Sequence, residues 1–289
     1  MTGAGTLGCE GEVDYGLTRD GVVQLRRRWR ATTGDGPPLA AMLLLHGISE
    51  HSGRYGPEAS QLAAAGIEVV AIDHRGFGGS GGRRAYVRSF DEYVTDAVDQ
   101  LAEVRRLGLP TVLFGHSMGG LIALLVVLQR REPRPDLLVL SAPALAAGVP
   151  RILRPVASLA AWLAPTVPVP VPIDPATLSH DPEVVAAFRR DAMVVRTVTP
   201  MLGRELFAAI DWANAHLDRL DVPTLVLHGD DDRLVPTVCT EPLGSVRCVE
   251  RRLLGGLRHE PHHEPSYRTW AQDVAAWIRR SLAAPPDHP

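Results

Sequence analysis

The sequence predicts an α/β chain: a mostly parallel sheet of about eight strands flanked by helices on both faces, with one inserted segment. Three observations carry this reading. Short apolar runs that end in Gly or Asp alternate with longer amphipathic segments along most of the chain. Most of those runs are Val/Leu/Ile-rich throughout rather than at every second position, as strands covered on both faces must be. The alternation fails once, between Ala144 and about Leu220, where prolines take over. At 289 residues the chain has the length of one α/β unit carrying an insert.

Taken in order, Glu12–Leu17 and Val22–Ala31 read as an antiparallel hairpin around Arg19-Asp20-Gly21, at an edge of the sheet. The central strands are predicted at Ala41–Leu45, Ile67–Ile72, Thr111–Phe114, Leu137–Leu140, Thr224–Leu227 and Val249–Leu254. A helix is predicted over Ser89–Leu107, with Ser89 as N-cap, Glu92 completing a capping box, and Gly108 and Pro110 beyond its end. Met118–Arg131 is almost wholly apolar until Gln129 and reads as a buried helix. Glu264–Ala283 makes the closing helix.

Inside the insert, Pro165, Pro168, Pro170 and Pro172 forbid a long helix, and a regular helical run is predicted from Asp181 to Val195. The expected layout is a core of residues 1–143 and 221–289, with a cap of residues 144–220 over the carboxyl ends of the strands. The cap's apolar character fits both packing against the core and a lining for a greasy substrate. Trp162, Leu163 and Ile152 among its prolines fit either core packing or transient contact with a lipid surface.

Thirty basic residues against 33 acidic leave a net charge of −3, which offers no basic excess for nucleic acid. All the basic residues are arginine, the mark of a GC-rich genome, so Arg26-Arg27-Arg28 and Arg251-Arg252 read as a solvated face. The three cysteines, Cys9, Cys239 and Cys248, are odd in number and lack CxxC spacing, which indicates neither a disulfide framework nor a zinc site. No cationic stretch followed by an apolar core opens the sequence, and no apolar run reaches ~18 residues. A cytoplasmic protein is expected.

The chemistry-bearing motif is Gly115-His116-Ser117-Met118-Gly119-Gly120, a G-x-S-x-G placed directly after a predicted strand and directly before a predicted helix. Glycines on either side of the serine remove Cβ atoms that would clash as strand becomes helix, and the turn exposes the hydroxyl with the positive helix end behind it. A serine hydroxyl needs a base held by a third group. The acid lies within Asp230-Asp231-Asp232, after a late strand, and spacing does not choose among the three. His259, after the last strand, is the candidate base. His262 and His263 lie close by, but no further ligand with metal-site spacing accompanies them, so no metal is expected. The oxyanion donors are expected at Met118 and, in the loop after the first central strand, Ile48. His46, His74 and His116 read as orienting residues.

Taken together, HGISEHSGRY, AIDHRGFGGSGG, FGHSMGGLIAL, VLSAPAL, VLHGDDDRLVP and GLRHEPHHEP resemble the monoacylglycerol lipase and lysophospholipase branch of the α/β-hydrolases, and the bacterial monoglyceride lipases most. The resemblance covers residues 12–283. It implies the α/β-hydrolase fold, no cofactor, and a carboxylic ester substrate such as a monoacylglycerol. It also selects Asp232, because the family's triad aspartate directly precedes Arg-Leu. It implies that Glu50, Arg54 and His262 hold the glycerol end. Ile48 and Ser49 stand where the family has small residues, which narrows the expected alcohol pocket. The cap aligns through LSHDPEVVAAF. Hydrolysis of single-chain lipid esters through an acyl-enzyme on Ser117 is the primary expectation. An esterase, thioesterase, lactonase or acyltransferase acting on a specialised metabolite shares every catalytic residue, and a non-catalytic ligand-binding protein is the alternative of another class.

Overall fold

The computed structural model describes residues 10–32, 36–146, 154–171 and 173–284. The chain opens with the strands β1 (Glu12–Leu17) and β2 (Val23–Trp29), then β3 (Ala40–Leu45), helix α1 (Gly56–Ala64), β4 (Ile67–Ile72), α2 (Asp91–Arg105), β5 (Thr111–His116), α3 (Met118–Leu128) and β6 (Leu137–Ser141). An insert follows, built from α4 (Arg154–Leu163), β7 (Val169–Pro170), α5 (Pro182–Arg190), β8 (Thr197–Val198) and α6 (Pro200–Asn214). The core resumes with β9 (Thr224–Gly229), β10 (Val249–Leu254) and α7 (Tyr267–Ala283).

Eight strands form one sheet in the order β1-β2-β4-β3-β5-β6-β9-β10. β1 pairs antiparallel with β2, β2 pairs antiparallel with β4, and every other pair is parallel. The expected α/β-hydrolase fold is therefore the one observed, with the hairpin at the edge. Strand periodicity explains why the apolar runs are continuous. Ala41, Leu43 and Leu45 of β3 enter one core while Ala40, Met42 and Leu44 enter the other. β6 divides in the same way, Leu138 and Leu140 against Leu137 and Val139. The helices α2 and α3 pack together on the first face, and α1 and α7 on the second.

Four of the helices differ from the sequence expectation. α2 starts at Asp91, and the capping box does not form: the Ser89 hydroxyl accepts from the Asp91 N–H at 3.3 Å. The Glu92 carboxylate instead joins Arg75 and Arg88, where charge-assisted bonds outweigh a neutral cap. The helical run from Asp181 stops at Arg190, five residues short of Val195. Its next residue, Asp191, is drawn away to His51 Nε2 at 2.7 Å. α1 and α6 arise without having been anticipated, although each carries a proline in its first turn, where the missing N–H costs nothing. Ile152, Pro172 and Cys9 lie outside the described residues.

The strand–helix turn at Ser117 is where packing is tightest. Ser117 adopts φ 52° and ψ −116°, outside the regions open to most side chains. A Cβ on Gly119 would stand 2.2 Å from the Leu45 carbonyl oxygen, and one on Gly115 would stand 2.3 Å from the Gly119 carbonyl oxygen. Backbone crowds both glycines, so no side chain can swing aside. Gly119→Ala is therefore expected to lower unfolding stability by about 2 kcal/mol or more in urea titration, an overpacking penalty. Wild-type stability in this variant would show that β3 and α3 can separate at no cost.

Candidate active site

Three loops at the carboxyl ends of β5, β9 and β10 bring the candidate residues together. Ser117 follows β5, Asp232 follows β9, and His259 follows β10. His259 Nε2 lies 3.1 Å from Ser117 Oγ, and its Nδ1 lies 2.7 Å from Asp232 Oδ2. The carboxylate can only accept, so Nδ1 carries the proton and Nε2 is free to accept from the serine hydroxyl. The other two aspartates of the run point elsewhere: Asp230 accepts from the Gly256 N–H, and Asp231 pairs with Arg233. Geometry thus chooses Asp232 where spacing could not.

Asp232 is fully occupied. Its Oδ1 accepts the N–H groups of Leu234 and Val235 at 2.8 and 2.9 Å, and its Oδ2 accepts from both His259 and His228. Burial would raise its pKa, but the hydrogen bonds from His228 and His259 hold it well below the usual carboxylate range. His228, in VLHGDDD, was not anticipated; an apolar run ending in a histidine four residues before the acid was the available signal. For His259, burial works to lower the pKa, but the hydrogen bond and charge of Asp232, with Glu260 and Glu50 behind it, raise it above the ordinary 6.5.

The oxyanion loop is held by buried carboxylates. Met118 opens α3, so its N–H belongs to the unpaired first turn and points out of the helix beside Ser117. Ile48 lines the same cavity from the loop after β3. That loop is fixed by Glu50, whose Oε1 accepts from the Gly47 N–H at 2.6 Å and the Tyr55 hydroxyl at 2.7 Å. Arg54 then bridges Glu50 Oε2, at 2.5 Å, to both oxygens of Glu260, at 2.7 Å each. The loop that carries His259 and the loop that carries Ile48 are thereby tied through one guanidinium. Glu260 was not anticipated; a carboxylate directly after His259 was its only signal. The surrounding histidines orient backbone: His46 Nδ1 bonds the Gly47 carbonyl, and His46 Nε2 accepts from the His74 N–H.

Of Glu50, Arg54 and His262, only Glu50 lines the cavity. Arg54 is consumed by its two carboxylates and lies 4.9 Å from the Phe188 ring centroid. His262 is fully buried, stacked on Tyr55 and set edge-on to His116. Glu50, His116 and Glu260 each bring a potential metal ligand within 4.8 Å of the others. Arg54 already supplies the positive charge there. His263 turns away to Glu260 and the Arg54 carbonyl. His116 is neutral, driven down to about 3 by burial and by neighbouring His259.

The cavity that opens from Ser117 has a volume of about 560 Å³ and is walled mainly by apolar residues of the insert, among them Val171, Ile173, Leu206 and Phe207. Its few polar lining residues include Glu50, Glu260 and His116. A positioned nucleophile, an oriented base and donors aimed at one oxygen can carry acyl transfer.

Comparison with known proteins identifies relatives of the whole chain. The sequence profile of the family described as serine aminopeptidase, S33, matches residues 36–266. A monoacylglycerol lipase of Mycolicibacterium smegmatis is 37% identical over 89% of this chain and 94% of its own. A phospholipase of Bacillus subtilis is 34% identical over 79% of this chain and 90% of its own. The crystal structure of the Paleococcus ferrophilus monoacylglycerol lipase superposes with a TM-score of 0.79 at 28% identity, over 89% of this chain and 98% of that one.

Modification of Ser117 by a fluorophosphonate needs neutral His259, so its rate should fall as pH drops through a value above 6.5. Asp232→Asn removes the two largest contributions that raise the imidazole, leaving burial opposed only by the charges of Glu260 and Glu50. The acid limb then moves to lower pH while the plateau falls on the order of 10³-fold or more. An unmoved limb would mean that Asp232 does not govern His259.

Proposed function

Since the chain belongs to the family described as serine aminopeptidase, S33, on its monoacylglycerol lipase branch, we propose that it hydrolyses monoacylglycerols through an acyl-enzyme on Ser117. The chain is a carboxylic ester hydrolase. His259 takes the Ser117 proton as Oγ attacks the ester carbonyl, and the Met118 and Ile48 N–H groups receive the developing oxyanion. The intermediate collapses with His259 protonating the departing alcohol. Water, deprotonated by the same imidazole, then releases the fatty acid.

The observation that carries the substrate is the lining of the cavity: mostly apolar side chains, with the Glu50 and Glu260 carboxylates and His116 among the few polar ones. A single acyl chain suits the apolar lining, and no arginine stands among the described lining residues. Hydroxyl donors are welcome beside those carboxylates, whereas a phosphodiester would meet two carboxylates and no free cation. This favours glycerol over a phosphorylated headgroup as the leaving alcohol. Arg54 and His262 act behind that wall, Arg54 by holding Glu50 and His262 by packing beneath His116.

Residues 144–220 are read as the cap that supplies the apolar lining. Its outer face carries Leu159, Trp162 and Leu163, with Trp162 76% exposed, and we read it as a transient contact with the lipid surface that holds the substrate. Among the described residues no helix is long and apolar enough to cross a membrane. The free thiols Cys239 and Cys248 suit the cytoplasm.

Purified protein should turn over long-chain monoacylglycerols, with activity abolished in Ser117→Ala and lysophospholipids cleaved at least tenfold more slowly. Preference for the lysophospholipid would overturn the alcohol assignment, and silence on every ester would overturn the reading itself. Trp162→Ser should reduce co-sedimentation with phosphatidylglycerol vesicles while leaving turnover of dispersed short-chain substrate unchanged. Absence of vesicle binding by the intact protein would remove the membrane contact.

A further inference from the structure

Gly203 sits in the fourth position of the fifteen-residue helix α6, and neither of the usual reasons for a helical glycine applies to it. Glycine is the poorest helix former after proline. Its φ is not in the left-handed region, and among the described residues a Cβ built there would meet no heavy atom within 4 Å. Backbone conformation does not require it, and no close neighbour excludes a side chain. At Gly115 and Gly119, by contrast, an added Cβ would collide with backbone.

The face of the helix on which it lies supplies the reason. Thr199, Pro200, Gly203, Leu206 and Phe207 all line the catalytic cavity. Their spacing of i, i+1, i+4, i+7 and i+8 is that of a single helical stripe. Leu202 faces the core on one side of the stripe and is fully buried, while Arg204 and Glu205 pair with each other on the other side. Gly203 is thus the centre of a cavity-facing stripe whose remaining members carry side chains. The open space beside its Cα adjoins the cavity that holds Ser117.

We propose that Gly203 is a specificity-determining position for acyl-chain length, its missing side chain leaving room for the distal methylenes of a long chain. The inference rests on the ester-hydrolase reading above. Any side chain at residue 203 occupies that room while leaving Ser117, Asp232, His259 and both oxyanion donors untouched. A cavity wall built from closely packed side chains cannot open a second pocket at no cost. The acyl chain must therefore shorten to match, and each methylene denied burial lowers kcat/KM about fourfold.

The test is a chain-length series of monoacylglycerols from C4 to C18, read as kcat/KM for wild type, Gly203→Ala and Gly203→Leu. Gly203→Ala should raise the melting temperature by a few degrees, since alanine is the better helix former, and should narrow the profile slightly. Gly203→Leu should keep C4 turnover within about twofold while turnover of C16 and C18 falls at least tenfold, moving the optimum to shorter chains. An unchanged profile in a folded Gly203→Leu that still cleaves C4 would overturn the proposal. Displacement of a fluorescent fatty acid by palmitate separates this from failure of the ester reading. If no variant cleaves any ester, palmitate should still bind more weakly to Gly203→Leu than to wild type, and equal binding would overturn the proposal in that case as well.

Discussion

Ser117 holds φ 52° and ψ −116°, a backbone conformation that costs a residue with a Cβ on the order of 1–3 kcal/mol, and the surrounding structure is arranged to keep it there. The Ser117 N–H bonds the Ser141 carbonyl on β6, and the Ser117 carbonyl accepts from Leu121 in α3 and from Ala144 beyond β6. Because Gly115 and Gly119 carry no Cβ, β3, β5 and α3 approach to backbone contact. The strain is therefore distributed over the centre of the sheet, where both cores meet, and the hydroxyl is delivered to one fixed point. Every other catalytic group is positioned relative to that point by loops leaving neighbouring strands.

Those loops are coupled by buried charge. Glu50 and Glu260 are both held well inside the protein, and burial works to raise the pKa of each, yet the guanidinium of Arg54 between them keeps both ionised. Such a triad is weak evidence for net stability, because three desolvated charges must first be compensated. Its effect is geometric. One carboxylate oxygen of Glu50 fixes the Gly47 N–H, and Glu260 follows the catalytic histidine directly, so a single planar fork sets the distance between the oxyanion loop and the base. Loss of one member would leave the others buried and unpaired, the costly direction for such a network.

How much of this could be read from the sequence follows from where each signal resides. The central parallel strands were legible because burial on both faces writes a continuous apolar run, and Ile67–Ile72 matches its predicted limits; the edge strand Val249–Leu254 matches too, although Glu250, Arg251 and Arg252 interrupt its apolar residues. Helix starts were less legible because proline has two meanings. Pro182 and Pro200 open helices at the first turn, and Pro57 does the same for α1, while prolines between 165 and 172 interrupt the chain. Treating the whole stretch as proline-broken hid α6. The capping box at Ser89 failed for a different reason, since Glu92 was claimed by Arg75, a partner distant in sequence. The same limit hid Glu260, which acts through Arg54, a partner distant in sequence; His228 lies only four residues before Asp232. The choice among three adjacent aspartates was likewise invisible to spacing and is decided by which carboxylate the fold turns toward His259.

The insert is bonded to the catalytic loops rather than merely laid over them. Val195 donates its N–H to the Ser49 carbonyl, Asp191 takes His51, Glu260 donates its N–H to the Leu178 carbonyl, and Phe188 lies against Arg54. Each contact reaches a residue in or next to the oxyanion loop or the histidine loop. The segment from Leu178 to Thr199 is therefore continuous with the catalytic machinery, whereas α4 packs chiefly on α6 and exposes Leu159, Trp162 and Leu163. The two parts of the insert thus meet opposite demands. One must keep donors within a few tenths of an ångström of a developing charge, and the other presents apolar surface outward. The stripe of α6 from Thr199 to Phe207 lines the cavity at the nucleophile, while α6 packs against α4.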